Sequence, residues 1–281
     1  MTNAETQRVA ERARRFRELH TADGPLVLPN AWDAASARVI ERAGARAIAT
    51  TSSGVAWGLG APDGEGLPLD TLLGLCERVV AAVDVPVSAD LVAGYGADPA
   101  GVARTVERAL AAGVVGVNLE DSGTGPQPLR PAAEQAERIA AARAAADDAG
   151  VPLYVNARVD TYLRAVGPAA ERLDATLERA AAYVAAGADG VFVPGTCDPD
   201  TVAALAKGVD APLALLAGPG APPVAELARA GAARISVGGG IAAAAYALAS
   251  RAASELLTSG TYGAIEDQIA YGTFNELFQR G

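Results

Sequence analysis

The chain has 281 residues, of which 51% are hydrophobic and 20% charged, so it can bury a full core. Its formal net charge of −10 argues against nucleic acid or an anionic membrane as the main partner, because both attract basic surfaces. Only two cysteines occur, so no disulfide framework is indicated and a reducing cytoplasm fits. No apolar run reaches the about 18 residues of a membrane span, and the charged N-terminus does not resemble a signal peptide.

The chain alternates helical and apolar segments. A helical hairpin is predicted over residues 3–20, followed by apolar runs that are continuous rather than alternating, as in parallel strands buried on both faces. The eight runs are 26–29, 46–50, 86–90, 115–119, 153–157, 190–194, 212–216 and 233–237. The helices predicted between them at 33–44, 98–113, 131–150 and 171–187 each end in glycine.

Eight such units with right-handed crossovers close most naturally into a (β/α)8 TIM barrel. An open doubly wound sheet is the alternative. We predict a single domain over residues 1–281, with residues 253–281 as a C-terminal helical extension. The apolar tail over 241–278 needs a surface to cover, either its own barrel or a neighbouring subunit.

Three acidic residues stand where predicted strands or their loops end: Asp63, Asp90 and Glu120. A carboxylate beside buried strands is costly unless it is paired, hydrogen-bonded or bound to metal. All strands of a parallel barrel end on one face, so the three acids suggest a divalent-metal site there. The alternative for Asp90 is a helix or turn cap. The only histidine, His20, lies in the N-terminal helical region, which excludes a multi-histidine site.

The fifth predicted strand ends in Asn156, Arg158 and Asp160. An arginine at a strand end is expensive to bury and well shaped to hold a carboxylate or phosphonate through two hydrogen bonds. The alternative is a structural ion pair of Arg158 with Asp160 or Glu120. The segment 50–54 carries hydroxyls and backbone N–H groups that could cradle an anion, although a plain polar loop explains it nearly as well.

At these residues the sequence resembles the isocitrate lyase/phosphoenolpyruvate mutase superfamily. The resemblance covers almost the whole chain and rests on LPNAWDAASARVIERAGARAIATTSSGVAWGLGAPDGEG, SADLVAGYG, GVNLEDS and NARVDTYL. It implies a (β/α)8 barrel that binds Mg2+ (or Mn2+) and acts on α-keto or 2-hydroxy acids. It also implies a homodimer or homotetramer in which a C-terminal helix is exchanged between subunits.

The resemblance also implies roles for individual residues. It places Asp63, Asp90 and Glu120 around the metal. It places Ser53, Gly54 and Val55 on the carboxylate or oxyanion of the substrate, with Arg158 as an anion clamp. To the substrate set we add Asn156. The acid–base group is unassigned, and Tyr95 is our candidate for it beside Arg158 and Glu120 as catalytic residues.

The chain departs from the family pattern in several places. The family usually has a second acid two residues after Asp90, where this chain has Val92. The stretch after Glu120 lacks the lysine, cysteine and histidine of the lyase loop, and the mutase branch's lysine loop is also missing. Val193-Pro194-Gly195 replaces a frequent glutamate after strand six, and strand seven offers no asparagine. Neither the isocitrate-cleaving nor the phosphonate-forming site is intact.

We therefore predict a Mg2+-dependent lyase that cleaves or forms a C–C bond in a small 2-hydroxy or α-keto carboxylic acid. A metal-stabilised enolate would be its intermediate. One alternative is a phosphonomutase-like enzyme that acts on a P–C bond. The other is a degenerate, non-catalytic binder of small acids, which the missing acid at Val92 favours.

Overall fold

The computed structural model describes residues 2–123 and 127–279. Within these ranges, nine parallel strands follow the neighbour order β1-β9-β8-β7-β6-β5-β4-β3-β2. The strands are β1 (Leu26–Leu28), β2 (Asn30–Ala31), β3 (Ile48–Thr50), β4 (Val87–Asp90), β5 (Gly116–Glu120), β6 (Tyr154–Arg158), β7 (Gly190–Val193), β8 (Leu213–Leu216) and β9 (Ala232–Ser236). All eight predicted strands are therefore confirmed, and the first of them is split in two.

Helices cover the outside of the barrel and continue past its last strand. They are α1 (Asn3–Leu19), α2 (Ala34–Arg42), α3 (Ser52–Gly58), α4 (Leu69–Ala82), α5 (Pro99–Ala111), α6 (Ala132–Asp148), α7 (Arg172–Ala185), α8 (Pro199–Gly208), α9 (Val224–Arg229), α10 (Gly240–Ser259) and α11 (Tyr271–Glu276). Short 3-10 helices cover Ala169–Glu171 and Gly263–Ile265. In the part of the chain that the structure describes, none of the helices combines the length and the apolar character that crossing a membrane requires.

The first barrel strand is interrupted at Pro29, which has no N–H to give to a strand ladder. β1 pairs with β9 and β2 pairs with β3, so the two halves together close the ring. Asn30 bridges the closure: its Nδ2 donates to the Thr50 carbonyl at 3.1 Å, and its Oδ1 accepts from the backbone N–H groups of Val237 and Gly238 at 2.9 and 2.8 Å. The closed ring confirms the TIM barrel and excludes the open doubly wound sheet.

Helix ends follow the predicted capping chemistry. The Asp33 carboxylate accepts from the Ser36 N–H at 2.7 Å at the start of α2, and Asp98 caps α5 in the same way. Gly113, just after α5, has φ +84°, a left-handed conformation that glycine adopts without steric cost. These local signals mark where α2 and α5 begin and where α5 ends.

The predicted hairpin over residues 3–20 is wrong, because α1 is one continuous helix. The segment contains no glycine or proline that could form a turn. Its buried side chains are spaced three residues apart along one face: Ala10, Ala13, Phe16 and Leu19. This face packs under the barrel, where Phe16 lies directly against Gly116 at the start of β5.

Three aromatic rings close the N-terminal end of the barrel. His20 stacks on Tyr154 with ring centroids 3.8 Å apart, and Phe16 packs edge-on against both. The Nδ1 of His20 lies 2.8 Å from the Phe16 carbonyl oxygen. Burial, together with the nearby charge of Arg234, lowers the pKa of His20 to about 3. The ring is therefore neutral at physiological pH.

The C-terminal tail is helical, as predicted, but it leaves the barrel. Of the 20 residues of α10, only Ala242 is buried. Leu257 is 84% exposed and Tyr271 is 86% exposed. The barrel of the same chain therefore does not cover this apolar surface.

We expect the His20→Phe variant to lose less unfolding free energy on acidification than wild type. The variant keeps an aromatic ring in the stack but cannot bind a proton there. The pKa of His20 is about 3 in the fold against 6.5 for the free side chain, so the unfolded chain binds the extra proton between these values. From pH 7 to pH 5, wild type should lose about 2 kcal/mol of unfolding free energy through this group. Urea denaturation of both proteins at the two pH values measures this. The same pH dependence in both would contradict it.

Candidate active site

Three charged side chains form a buried triad where β5 and β6 end. Arg158 is the register partner of Glu120, and its Nη1 lies 2.8 Å from Glu120 Oε2. Its Nε donates to Asp160 Oδ1 at 2.6 Å, and its Nη2 donates to Asp160 Oδ2 at 3.1 Å. The Asp160 side chain is fully buried, and the other two are largely buried. The ion pair considered as the alternative role of Arg158 is present, with both expected partners.

The triad has more carboxylate than guanidinium. Burial raises the pKa of Glu120 to about 8; Arg158 opposes this shift, while Asp160 and Asp90 add to it. Burial alone would lower the pKa of Arg158, but Glu120, Asp160 and Asp90 raise it above its ordinary value. Arg158 therefore stays charged, and the site keeps an excess of acid that an added cation would balance.

Asp160 is fixed from behind by hydrogen bonds. Ser122 Oγ donates to its Oδ2, and Arg164 Nε donates to Ser122 Oγ at 3.2 Å. The backbone N–H of Asp160 donates to Asp121 Oδ1 at 2.9 Å. Since the Asp160 carboxylate holds two nitrogens of Arg158, these contacts fix the orientation of the guanidinium.

Asp121 ties this network to α7. Its Oδ2 accepts from Tyr183 Oη at 2.8 Å and from Arg179 Nη1 at 3.0 Å. Arg179 Nη1 also donates to the Arg130 carbonyl at 3.0 Å, so both sides of the segment 122–130 are anchored. Residues 124–126 of this segment lie outside the described residues.

Asp90 ends β4 beside the triad. Its backbone N–H donates to Thr50 Oγ1 at 3.0 Å. Its carboxylate accepts from the N–H groups of Val92 and Ser52 at 3.3 and 3.4 Å. The side chain thus serves partly as the turn cap that was the alternative interpretation, and these weak contacts leave lone pairs for a ligand.

The loop after Asp90 is strained. Val92 has φ +52°, which is rare for a β-branched residue, and its carbonyl accepts from the Glu120 N–H at 2.9 Å. Arg138 Nη2 donates to the carbonyls of Ala93 and Gly96, both at 2.8 Å. Strain persists where surrounding contacts fix it, and here those contacts link the Asp90 loop to Glu120 and α6.

Tyr95 and Asp63 lie in two loops that carry the acidic residues near Asp90. The Tyr95 N–H donates to Glu65 Oε1 at 2.7 Å, which joins the two loops. Burial, together with the negative charges of Glu65, Asp90 and Asp63, raises the pKa of Tyr95 to about 12. Asp63 itself is exposed and accepts from the Gly64 N–H at 2.9 Å.

The predicted anion cradle is the first turn of α3. The Val55 N–H donates to the Thr51 carbonyl at 3.0 Å, so it is already used by the helix. The Gly54 N–H lies 3.5 Å from Thr51 Oγ1, a weak contact. Ser53 is only partly buried, and its hydroxyl lies 3.0 Å from Thr51 Oγ1. Of the three predicted groups, Ser53 is the best placed to reach a ligand.

Asn156 lies deeper than the sequence suggested. It is two residues before Arg158 on β6 and almost fully buried. Its Nδ2 donates to Asn118 Oδ1 at 2.8 Å. The side chain therefore points into the barrel below the triad, where it supports the floor of the site.

Two surface cavities lie at opposite ends of the barrel. A groove between α1, α4 and α5 includes Gly113, which precedes β5, so it opens at the N-terminal end of the barrel. A smaller cavity of about 420 Å³ is lined by Cys197, Leu216 and Pro219 after β7 and β8. Barrel enzymes act at the C-terminal face, so the triad and the smaller cavity lie at the functional end.

The donor set fits a loosely held Mg2+ rather than a closed metal cage. Among residues 2–123 and 127–279, no three His, Cys, Asp or Glu side chains converge closely enough to bind a metal. Mg2+ usually keeps several waters and binds through one or two carboxylates plus the substrate. Asp90 and Glu120 supply such oxygens, and the raised pKa of Glu120 means that an added cation would stabilise its carboxylate form, so the residues present fit this ion.

A parallel barrel with a charged triad at the C-terminal ends of its strands has the architecture of a barrel enzyme. A family model described as phosphoenolpyruvate phosphomutase matches residues 16–257. The chain belongs to this family, within the isocitrate lyase/phosphoenolpyruvate mutase superfamily of enzymes that its motifs resemble.

Individual relatives carry different activities. A Burkholderia cenocepacia J2315 crystal structure, to which lyase or mutase activity is only provisionally assigned, has TM-score 0.91 and 38% identity and covers 97% of both chains. The phosphoenolpyruvate phosphomutase of Streptomyces platensis subsp. rosaceus has TM-score 0.83 and 31% identity, over 94% of both chains. The 2-methylisocitrate lyase of Escherichia coli is 36% identical over 183 residues, which cover 63% of this chain and 60% of the lyase.

Sequence reasoning did not single out three residues of this site: Glu65, Ser122 and Arg164. Glu65 follows Asp63 by two residues in one loop, and this spacing of acids was an available signal. Ser122 and Arg164 follow different strands and meet only through the fold, so no local pattern identifies them.

We expect Asp160→Asn to cost about 1.5–3 kcal/mol of unfolding free energy, because it weakens the charged hydrogen bonds that hold Arg158 while Glu120 still pairs with it. The matched control is Asp70→Asn, which removes the exposed carboxylate paired with Arg108 and should cost less than about 1 kcal/mol. Denaturant titration at pH 7 measures both. Equal losses in the two variants would contradict a structural role for the triad.

Proposed function

We propose that the protein is a Mg2+-dependent lyase that cleaves or forms a C–C bond in a small 2-hydroxy or α-keto carboxylic acid. The triad carries this proposal. Asp160 accepts two hydrogen bonds from Arg158, and Glu120 forms an ion pair with Nη1 at 2.8 Å. A guanidinium has five N–H groups, so this rigidly held group keeps N–H groups on Nη1 and Nη2 that suit a carboxylate of a substrate.

Asp90 and Glu120 would hold the Mg2+, with Asp63 joining through water. When bound, the ion polarises the substrate oxygen and stabilises the charge of a developing enolate. Arg158 orients the carboxylate, and the Ser53 hydroxyl is placed to add a hydrogen bond. Val92 leaves this site with one acid fewer than the family pattern has.

Tyr95 is our candidate for the proton donor. Its pKa, raised to about 12, keeps the phenol protonated at neutral pH. It therefore suits donation of a proton or a hydrogen bond to a developing oxyanion or carbanion, and it does not suit a general base.

Relatives support two reaction types. The Escherichia coli relative is a 2-methylisocitrate lyase, which favours C–C cleavage. The Streptomyces relative is a phosphoenolpyruvate phosphomutase, and this keeps P–C chemistry as the second candidate. 31P NMR on phosphoenolpyruvate and phosphonopyruvate separates the two, because only the second activity interconverts a phosphate ester and a phosphonate.

We expect Mg2+-dependent release of pyruvate or glyoxylate from at least one member of a panel of 2-hydroxy dicarboxylates. Arg158→Lys should lower kcat/KM by about 100-fold, because the carboxylate loses charged hydrogen bonds. The matched control is Arg229→Lys, an exposed arginine on α9, which should leave kcat/KM unchanged. Coupled assays for each keto acid measure this.

Absence of turnover on every substrate, with Mg2+ binding shown by calorimetry, would contradict the lyase proposal and favour the non-catalytic binder. A loss of kcat/KM in Arg229→Lys as large as that in Arg158→Lys would contradict a specific role of Arg158 in substrate binding.

We also propose that α10 and the tail after it pack against a second copy of the chain in a homodimer or homotetramer. Leu257, Tyr262 and Tyr271 are each more than 60% exposed on this segment. Apolar surface of this extent is typical of an interface, and symmetric self-association is the commonest way of burying it.

Wild type is therefore expected to be oligomeric in light-scattering chromatography, and Leu256→Glu/Leu257→Glu is expected to shift it to monomer. Val224→Glu, on α9, is the control, since it charges another exposed apolar position without touching α10. A monomeric wild type at every concentration would contradict this proposal.

A further inference from the structure

The inside of the barrel contains buried polar atoms that the protein does not satisfy. Arg234 of β9 reaches Asn118 of β5, and these strands lie on opposite sides of the ring, so both side chains cross the lumen. Four atoms here have no hydrogen-bond partner among the described residues: His20 Nε2, Ser88 Oγ, Asn156 Oδ1 and Arg234 Nη1. All four side chains are at least nine-tenths buried.

Arg234 is a buried cation without an ion pair in the ranges 2–123 and 127–279. Its one side-chain hydrogen bond runs from Nη2 to Asn118 Oδ1 at 3.3 Å. Burial lowers the pKa of Arg234 to about 10, while Tyr154 and Asp90 raise it, so the group stays charged at neutral pH. Buried charges are normally paired, and this one needs another source of solvation.

The hydrogen-bond pattern fixes which atoms donate. Arg234 can only donate, so the atom of Asn118 that faces it is the oxygen, and Asn156 must then offer its Nδ2 to the same oxygen. This leaves Asn156 Oδ1 as an acceptor. His20 donates from Nδ1 to the Phe16 carbonyl, so its Nε2 is an acceptor as well.

Two inward-facing glycines place these atoms together. A Cβ on Gly190 would lie 3.1 Å from Asn156 Oδ1 and would collide with the Tyr154 hydroxyl. A Cβ on Gly116 would lie 3.1 Å from Ser88 Oγ and 2.5 Å from the Phe16 ring. These contacts place Asn156 Oδ1 and Ser88 Oγ just above the aromatic floor formed by Tyr154 and Phe16.

We propose that the barrel lumen holds a sealed cluster of ordered water molecules that solvates the unpaired Arg234 guanidinium. The lumen presents both donors and acceptors, and only a molecule that is both can satisfy them. An anion would face Asn156 Oδ1 and His20 Nε2, and a cation would face the guanidinium. Buried waters that bridge such groups are a regular part of folded proteins.

The cluster has a consequence for the active site above it, which rests on the proposed function. Arg234 stays charged without a carboxylate of its own, so its field acts upward on Asp90 and on anions bound beside Arg158. An uncompensated charge in a low-dielectric interior is felt over longer distances than one at the surface. It should strengthen binding of a dianion by about tenfold.

A crystal structure of the wild-type protein tests the cluster itself. We expect water density within about 3 Å of Arg234 Nη1 and Asn156 Oδ1. A bound anion at Arg234, or a lumen with no ordered solvent beside Nη1, would overturn the proposal.

Calorimetric titration with oxalate in the presence of Mg2+ tests the charge. Arg234→Met should weaken binding about tenfold, and Arg234→Lys, which keeps the charge, should stay close to wild type. Arg229→Met is the matched control, since it removes an exposed charge and should have no effect.

Unchanged affinity in a folded Arg234→Met protein, judged by circular dichroism, would refute the electrostatic role. Should Arg234→Met fail to fold, Arg234→Gln replaces it, since it also removes the charge and should weaken binding about tenfold, and unchanged affinity would refute the role. A wild type that binds no oxalate would contradict the proposed function instead, and the lumen waters would then decide this proposal.

Discussion

The buried guanidinium of Arg158 is the constraint on which the site depends. A charge at this depth is costly unless it is paired or otherwise solvated, and two carboxylates pair it here: Glu120 on the neighbouring strand and Asp160 just beyond its own. The pairing fixes the plane of the guanidinium and leaves N–H groups on its two terminal nitrogens for a ligand. Ser122 and Asp121 in turn hold Asp160, so the orientation of one arginine depends on a shell that extends to α7.

The same pairing explains why the site attracts a cation. Glu120, Asp160 and Asp90 share one arginine at this depth, and burial makes their negative charge more expensive. A Mg2+ between Asp90 and Glu120 would relieve that cost and bring a substrate oxygen next to Arg158. Another buried arginine, Arg234, would supply positive charge from below without occupying the site.

Much of this could be predicted from the sequence. Continuous apolar runs and helix-ending glycines identified the strands and the closed barrel, because these signals are local. The rule that active sites lie at strand C-termini brought Asp90, Glu120 and Arg158 to one face. The strained φ of Val92 and the pairing of Glu65 with the Tyr95 N–H could not be predicted, since both arise from contacts between separate loops. The unpaired state of Arg234 depends on the whole closed ring and has no local signature.

The most direct test of the account is a crystal structure of the wild-type protein with Mg2+ and an α-keto acid such as pyruvate. The account predicts a metal about 2.1 Å from an oxygen of Asp90 or Glu120. It also predicts that the keto-acid carboxylate accepts hydrogen bonds from N–H groups of Arg158 that are not donated to Asp160. A keto acid bound away from Arg158, or a metal bound only by residues far from Asp90 and Glu120, would contradict it.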